Sequence, residues 1–424
     1  MKRYITLFFL GIIVSCYFFP IEFMFLPRGV NTKMMLAVIG GISIGFNILK
    51  TNELRCNKDV FGASVIAIIF SIVCFFSANY NQTGDYSYAT YFFSFLTWIT
   101  AAYAVCIFLR AYHKEVTFKL MTLYLTGVCT VQCILAIMID RIPVFKSLVD
   151  SVVFQGQSFM DEIGRLYGIG AALDPAGTRF GIVLLMLSFL IFKDVEIQRK
   201  RNHVVLLILA FFIIAVIGNM IARTTSVGMM MGLIFMAYSM PVLKTYIKVR
   251  ILKLWSLLFI VVAIAVMVVA YLYNNDVQTY NLLRFGFEGF FNWIETGVWY
   301  TSSTDKLNTV MWVWPEDIKS WIIGTGLFGH YIFSTDIGYC RFILYCGIVG
   351  FSVFAMLFVY GSFVFADKFP NYRLFCLGLC LLSFFIWIKV STDLFLIHAL
   401  LYCTDYVKKP YGNIAETNHN ENAQ

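Results

Sequence analysis

Apolar runs close to twenty residues long follow one another down most of this chain, separated by short polar segments. A bilayer core about 30 Å thick needs about 20 apolar residues per helix. On that template the pattern predicts spans near 4–26, 34–49, 60–78, 88–109, 120–139, 179–193, 204–221, 225–243, 254–273, 341–365, 374–390 and 394–407. The last is short and holds His398. Two interruptions are much longer than the rest, 140–178 and 274–341. The expected fold is an all-α polytopic integral membrane protein of about 12 transmembrane helices with two larger outer loops. Residues 1–409 read as one transmembrane domain, and the polar, Asn-bearing stretch 410–424 as a disordered cytoplasmic tail. No soluble domain, internal repeat or nucleotide-binding loop is recognisable.

Composition agrees. The chain is 60% hydrophobic and 13% charged, against roughly a quarter charged in soluble domains. The net charge of +8 is spread through short segments between apolar runs, which argues for a bilayer rather than a nucleic acid as partner. With the N-terminus inside, the inner segments hold Lys2, Arg3, Lys50, Arg55, Lys58, Arg110, Lys114, Lys119, Lys193, Arg199, Lys200, Arg201, Lys244, Lys248, Arg250, Lys253, Lys368, Arg373, Lys408 and Lys409. These are 20 of the 32 basic residues, and basic residues in short loops mark the cytoplasmic side. Both termini are then cytoplasmic, and both long loops face outward. The first apolar run lacks a small-residue cleavage site and reads as a retained span. The 11 cysteines fall mostly inside spans, with no Cys-x-x-Cys and no Cys/His ligand spacing, so neither metal nor cofactor is expected.

Candidate chemistry sits in the outer segments. In 140–178, Phe145, Leu148, Val149, Val152 and Val153 recur at helical spacing opposite Lys146, Ser147, Asp150 and Ser151, as in a helix lying on a membrane surface. Arg165, Asp174-Pro175 and Arg179 follow. Arg223 sits where two spans meet with only a few polar residues between them, a position that usually faces a polar cavity or a partner. The second long loop adds Arg284, His330, Asp336 and Arg341, and its stretch 284–350 holds five of the eight tryptophans. Trp299, Trp312 and Trp314 lie well inside it. They suit either an interfacial belt or flat faces for sugar rings. Arginine forks match phosphate oxygens two at a time. The set Arg165, Arg179, Arg223, Arg284 and Arg341, with Asp336 or His330 as base, is what transfer of a sugar from a lipid-linked diphosphate would need.

Three local patterns resemble the Wzy-type O-antigen and capsular polysaccharide polymerases, relatives of the O-antigen ligases. They are Arg165-Leu-Tyr-Gly followed by Asp174-Pro175; Ala222-Arg223-Thr224 opening a span; and Gly324-Thr-Gly326 followed by Ser334-Thr-Asp336-Ile-Gly338, then Gly347-Ile-Val-Gly350. The span number and the large outer loop before the last spans also agree, in a GT-C-like arrangement. The resemblance implies a metal-independent glycosyltransferase of the bacterial inner membrane that joins undecaprenyl-diphosphate-linked oligosaccharide repeat units, with a chain-length regulator as a candidate partner. It assigns diphosphate contacts to Arg165, Arg223 and Arg284, with Arg179 as a further candidate. Ligases of the superfamily place a histidine, usually followed by asparagine, shortly after the glycine turn. Here Tyr331 follows His330 and Asp336 stands in that region, which favours polymerase over ligase.

Two other classes compete. Metal-dependent multi-span glycosyltransferases carry acids in the first outer loop, whereas 27–33 holds none. A flippase for the same lipid-linked sugar should place ionisable residues near mid-membrane. The spans here are nearly free of charge, and Lys389 and Asp393 near an outer end are expected to pair with each other.

Overall fold

The computed structural model describes residues 2–53, 57–162, 164–239 and 249–405; the expected tail 410–424 lies outside them. Most of the described chain is helix. Among the described residues, nine helices are long and apolar enough to cross a membrane. They are α2 (Thr32–Thr51), α3 (Lys58–Tyr80), α4 (Tyr91–His113), α5 (Phe118–Arg141), α8 (Leu173–Lys193), α10 (Arg201–Ile221), α12 (Val249–Asn275), α17 (Gly338–Lys368) and α18 (Arg373–Trp387). α1 (Lys2–Phe18) and α11 (Thr225–Tyr238) are apolar but shorter, and α19 (Phe395–Cys403) has nine residues, buried from Phe395 to Tyr402. The chain is a multi-pass membrane protein. Short helices fill the connections: α6 (Pro143–Val152), α7 (Gln157–Glu162), α9 (Val195–Arg199), α13 (Val277–Gly286), α14 (Glu288–Thr296), α15 (Ser302–Thr309) and α16 (Ile318–Ile323).

α8 is the hub. In its span 83% of residues are buried, against 17% in α2 and α12, so α8 runs through the middle of the bundle and the other two along its edge. α8 and α11 come close because Gly181 and Gly228 face each other; a Cβ on Gly228 would lie 2.2 Å from the Gly181 carbonyl oxygen. Small residues at such crossings are how helices pack where lipid removes the hydrophobic drive.

Two boundaries differ from expectation. α1 stops at Phe18 rather than near 26, because Pro20 disfavours helical backbone in the residue before it. The first connection therefore runs from Phe19 to Asn31 and includes Glu22, so it is not free of acids. Glu22 Oε1 accepts from Gly29 N at 2.6 Å, and Glu22–Phe23 (β1) pairs antiparallel with Val153–Phe154 (β2). α8 begins at Leu173 instead of 179, with Asp174 and Pro175 in its first turn, where an acid meets the positive end of the helix dipole and proline loses no hydrogen bond. The amphipathic helix expected after 140 is α6. Its Val149 joins a small core with Ile139, Val153, Met160 and Tyr167, while Val144 and Leu148 stay exposed.

Connections gather at two ends of the bundle. At one end Arg141 pairs with Asp276 at 2.5 Å, Asp85 Oδ2 accepts from Phe328 N and Gly329 N at 2.7 Å, and β1 meets β2. At the other, Arg110 pairs with Asp405 at 2.8 Å, Lys119 with Glu196 at 2.7 Å, and Lys368 Nζ donates to the carbonyls of Leu401 and Tyr402 at 2.9 Å.

The Gly324-Thr325-Gly326 turn has a specific place in this fold. α17 breaks at Gly347, whose φ is 68°. The break frees carbonyls in the preceding turn. Thr325 N and Oγ1 donate to Leu344 O at 2.7 and 2.8 Å, Gly326 N to Tyr345 O at 3.0 Å, and Ser77 Oγ to Tyr345 O at 2.8 Å. α16 and its turn are thereby seated in the break. A Cβ on Gly347 would lie 2.1 Å from Ile322 O, and one on Gly324 2.2 Å from Tyr345 O.

Candidate functional site

Arg223 stands in the three-residue turn between α10 and α11, so its side chain is directed by the turn rather than by a helix face. Its Nη1 donates to Glu288 Oε2 at 2.5 Å and to Ser303 Oγ at 3.2 Å. Its guanidinium carbon lies 4.4 Å from the centre of the Phe285 ring, and that of Arg165 lies 4.8 Å from the same ring. Cation–π contact holds both against one aromatic plane. Burial lowers the affinity of Arg223 for its proton and Arg165 adds to this, with Glu288 opposing. The Arg165 side chain donates no hydrogen bond to any described residue, which leaves its fork available. Glu288 also accepts from Ser302 N at 3.0 Å, tying α14 to α15.

Beside this pair, Asp174 accepts from Thr224 Oγ1 and from Lys389 Nζ, the latter at 3.2 Å. The pairing of Lys389 with Asp393 expected from the sequence does not occur; Asp393 Oδ1 instead accepts from Phe395 N at 3.0 Å, capping α19. Asp174 is within electrostatic range of both Arg165 and Asp336 and so links the two halves of the site. The Asp336 carboxyl faces accessible space. Partial burial and the negative charge of Asp174 push it above the usual carboxylate range, against the pull of Arg341 and Lys389. A carboxylate raised in this way is better matched to proton abstraction near neutral pH.

The remaining arginines have other surroundings. Arg341 has its fork occupied: Nη2 donates to Phe328 O at 2.8 Å and Nη1 to Ser391 Oγ at 3.0 Å, with its carbon 4.0 Å from the Phe328 ring. It staples the end of the second long loop to the segment after α18. Arg284 pairs with Glu295 through Nη1 and Nη2 while lying 5.0 Å over Phe291. Arg179 points into the bundle, 5.7 Å from the Phe19 ring. His330 lies on a short turn, Gly329–Tyr331, and its side chain is outside the described residues.

The tryptophans divide. Residues 311–315 form neither helix nor strand, Val313 N donating to Met311 O at 3.0 Å across Trp312, and Met311 and Val313 pack inward on Ile337, Cys340 and Leu344. Trp312 and Trp314 therefore face outward, with ring centres 5.7 Å apart, and Trp321 stacks on Trp314 at 5.6 Å. Thr335 Oγ1 donates to Met311 O at 2.5 Å, so this aromatic surface borders the residue next to Asp336. Trp299 lies apart, against Gly289.

Arg165, Arg223, Asp336 and Arg341 thus share one end of the bundle around Asp174, while Arg284 and Trp299 do not join them. Four residues here escaped the sequence reading as site members: Phe285, Glu288, Asp174 and Lys389. Asp174, in the Asp174-Pro175 pattern, and Lys389, a cation at an outer span end, carried a signal in the sequence; Phe285 and Glu288 carried none. A cavity of about 460 Å3 adjoins Arg165, lined also by Asp140, Lys146, Tyr167, Gln278 and Asn281, a size usual for small-molecule sites. Compared with protein-family models, characterised proteins and solved structures, the chain matches none.

Proposed function

We propose that this chain joins lipid-linked oligosaccharides on the outer face of a bacterial cytoplasmic membrane, crossing it about twelve times with both termini inside. The observation that carries this reading is the convergence of Arg165 and Arg223 on Phe285, next to Asp174, Lys389 and the raised carboxyl of Asp336. In the reaction, the bond between the anomeric carbon of a glycan and its polyprenyl diphosphate breaks. A bond forms from that carbon to a hydroxyl oxygen of the sugar on a second polyprenyl diphosphate. Asp336 takes the hydroxyl proton, and the departing diphosphate keeps the electron pair of the broken bond. Arg165 and Arg223 neutralise the charge that grows on this leaving group, where each charge-assisted hydrogen bond contributes about 1.5–3 kcal/mol. Trp312 and Trp314 offer apolar faces to the sugar rings.

Purified protein incubated with a lipid-linked repeat unit should yield a ladder of longer lipid-linked glycans together with free polyprenyl diphosphate. Failure to lengthen the glycan would overturn the reading. Deletion in cells separates polymerase from ligase: loss of a polymerase leaves single repeat units on the final acceptor, whereas loss of a ligase strands polymer on the lipid carrier.

A further inference from the structure

α14 has two unlike sides. Glu288, Asn292, Glu295 and Thr296 fall on one, and Phe290, Phe291, Trp293 and Ile294 on the other. The polar side is engaged by the protein's own groups. Glu288 meets Arg223, Glu295 meets Arg284, Asn292 Nδ2 donates to Tyr300 O at 2.8 Å, and Thr296 Oγ1 donates to Asn292 O at 2.7 Å. On the apolar side, the Phe291 ring stacks on Tyr273 of α12 at 5.4 Å. The rest of that side is open: Phe290, Trp293 and Ile294 are each between 47% and 62% exposed. Val298 and Trp299 follow just past the Gly297 turn, equally exposed, with Trp299 lying against Gly289.

The neighbours of α14 fix its height. Tyr273 lies two residues before α12 ends at Asn275. Asp276, the next residue, pairs with Arg141 at the end of α5. α14 is therefore level with the ends of two membrane-spanning helices. α12 runs along the edge of the bundle, and Tyr271 and Leu272 beside Tyr273 stay exposed, so its flank faces lipid. Phe291 joins α14 to that helix, and the open side of α14 continues an apolar surface that is already in the bilayer. Five large apolar side chains grouped at a surface mark a contact with a membrane or a partner. Tryptophan is enriched at headgroup level, and a helix with charges on one side and Trp and Phe on the other lies in that plane. α6, which starts two residues past Arg141, exposes Val144 and Leu148 from the same joint.

We propose that α14 is a membrane-surface helix whose partner is the lipid of the adjacent leaflet: Phe290, Trp293 and Ile294, with Val298 and Trp299, sink into the boundary between headgroups and acyl chains. Glu288 opens this helix, so the bilayer sets where the partner of Arg223 stands. The lipid contact needs no substrate. It goes beyond the transfer reaction proposed above and is tested without it.

Tryptophan fluorescence of the full-length protein tests this, in phosphatidylcholine nanodiscs with and without bromine on the acyl carbons nearest the headgroup. The emission lost in Trp293→Phe isolates Trp293 among the eight tryptophans. Brominated lipid should remove the larger part of that emission and aqueous iodide little of it. Emission that survives bromine and falls with iodide would put the helix in water and overturn the proposal. Emission shielded from both quenchers would overturn it too, since the cover would then be protein, whether this chain or a second copy. Phe290→Gln/Ile294→Gln gives an independent reading. Glutamine forms helix better than either residue it replaces, so faster amide exchange would report lost burial and not lost propensity. Exchange across 288–296 in nanodiscs should rise about tenfold or more; exchange at the wild-type rate would overturn the lipid contact.

Discussion

Lys389 Nζ lies 3.2 Å from Asp174 Oδ1, a pair that joins positions 215 residues apart. Lys389 Nζ also lies 3.3 Å from Thr224 Oγ1, so the start of α8, the end of α18 and the turn before α11 meet at one point. Arg223 is the residue before Thr224, and its aim depends on that junction. Exchanging the charges in Asp174→Lys/Lys389→Asp should return most of the stability lost in either single change, because a half-exposed pair is worth only about 0–1 kcal/mol. Polymer should not return, since the potential beside Asp336 is reversed. Thermal melting and glycan ladders measure the two outcomes separately.

Arg223→Lys keeps the charge and loses the planar fork. Glycan transfer should fall about 10-fold to 150-fold, the value of one charge-assisted hydrogen bond, with unchanged expression. Arg284→Lys, at a surface pair with Glu295, should have little effect. Equal losses in the two variants would remove the special status of Arg223.

The pH profile follows from the direction of the Asp336 shift. A base must be deprotonated to act, and burial beside Asp174 raises the pH at which this carboxyl loses its proton. The acidic limb of the rate profile should therefore lie above the ordinary carboxylate value of about 3.9. Removing the negative neighbour in Asp174→Asn should move that limb to lower pH. The same raised carboxyl favours the protonated fold, so its contribution to stability is present at low pH and fades as pH rises through the folded value. Asp336→Asn should abolish transfer at every pH.

Gly347→Ala should not give monodisperse protein. Its positive φ alone costs a side-chain-bearing residue about 1–2 kcal/mol, and the new carbon would meet Ile322 O. Gly297 has a similar φ of 75° but open space around it. Gly297→Ala should express normally in size-exclusion profiles.

Trp312→Ala and Trp314→Ala should shorten the glycan product without weakening polyprenyl diphosphate binding. If the stacked surface is only an interfacial belt, neither property changes.

Helices were largely legible in the chain because apolar run length is a one-dimensional property. The misplaced boundaries, at Phe18 and Leu173, lie where proline and acid chemistry overrode hydropathy. The site was legible only in part. Arg223 stood out because a charge in a three-residue turn has nowhere to go but inward. Phe285 could not be singled out, since one phenylalanine among 43 carries no mark of the two cations that settle on it. Glu288 and Glu295 look alike in sequence, yet one meets Arg223 and the other Arg284. Asp174 and Lys389 are joined only by the packing of α8, α11 and α18.

The seating of α16 in the break of α17 bears on how a second substrate enters. Residues 317–347 are clamped to transmembrane carbonyls and to Ser77, and α13 is anchored through Asp276 to Arg141. The part of the second long loop left outside these anchors runs from Phe287 to Val310, because Met311 and Val313 are packed on Ile337 and Leu344 and Met311 O accepts from Thr335. Within it Gly297 is unobstructed and left-handed, and Arg223 ties down both flanks, through Glu288 before the glycine and Ser303 after it, so access past this stretch and the aim of Arg223 are coupled.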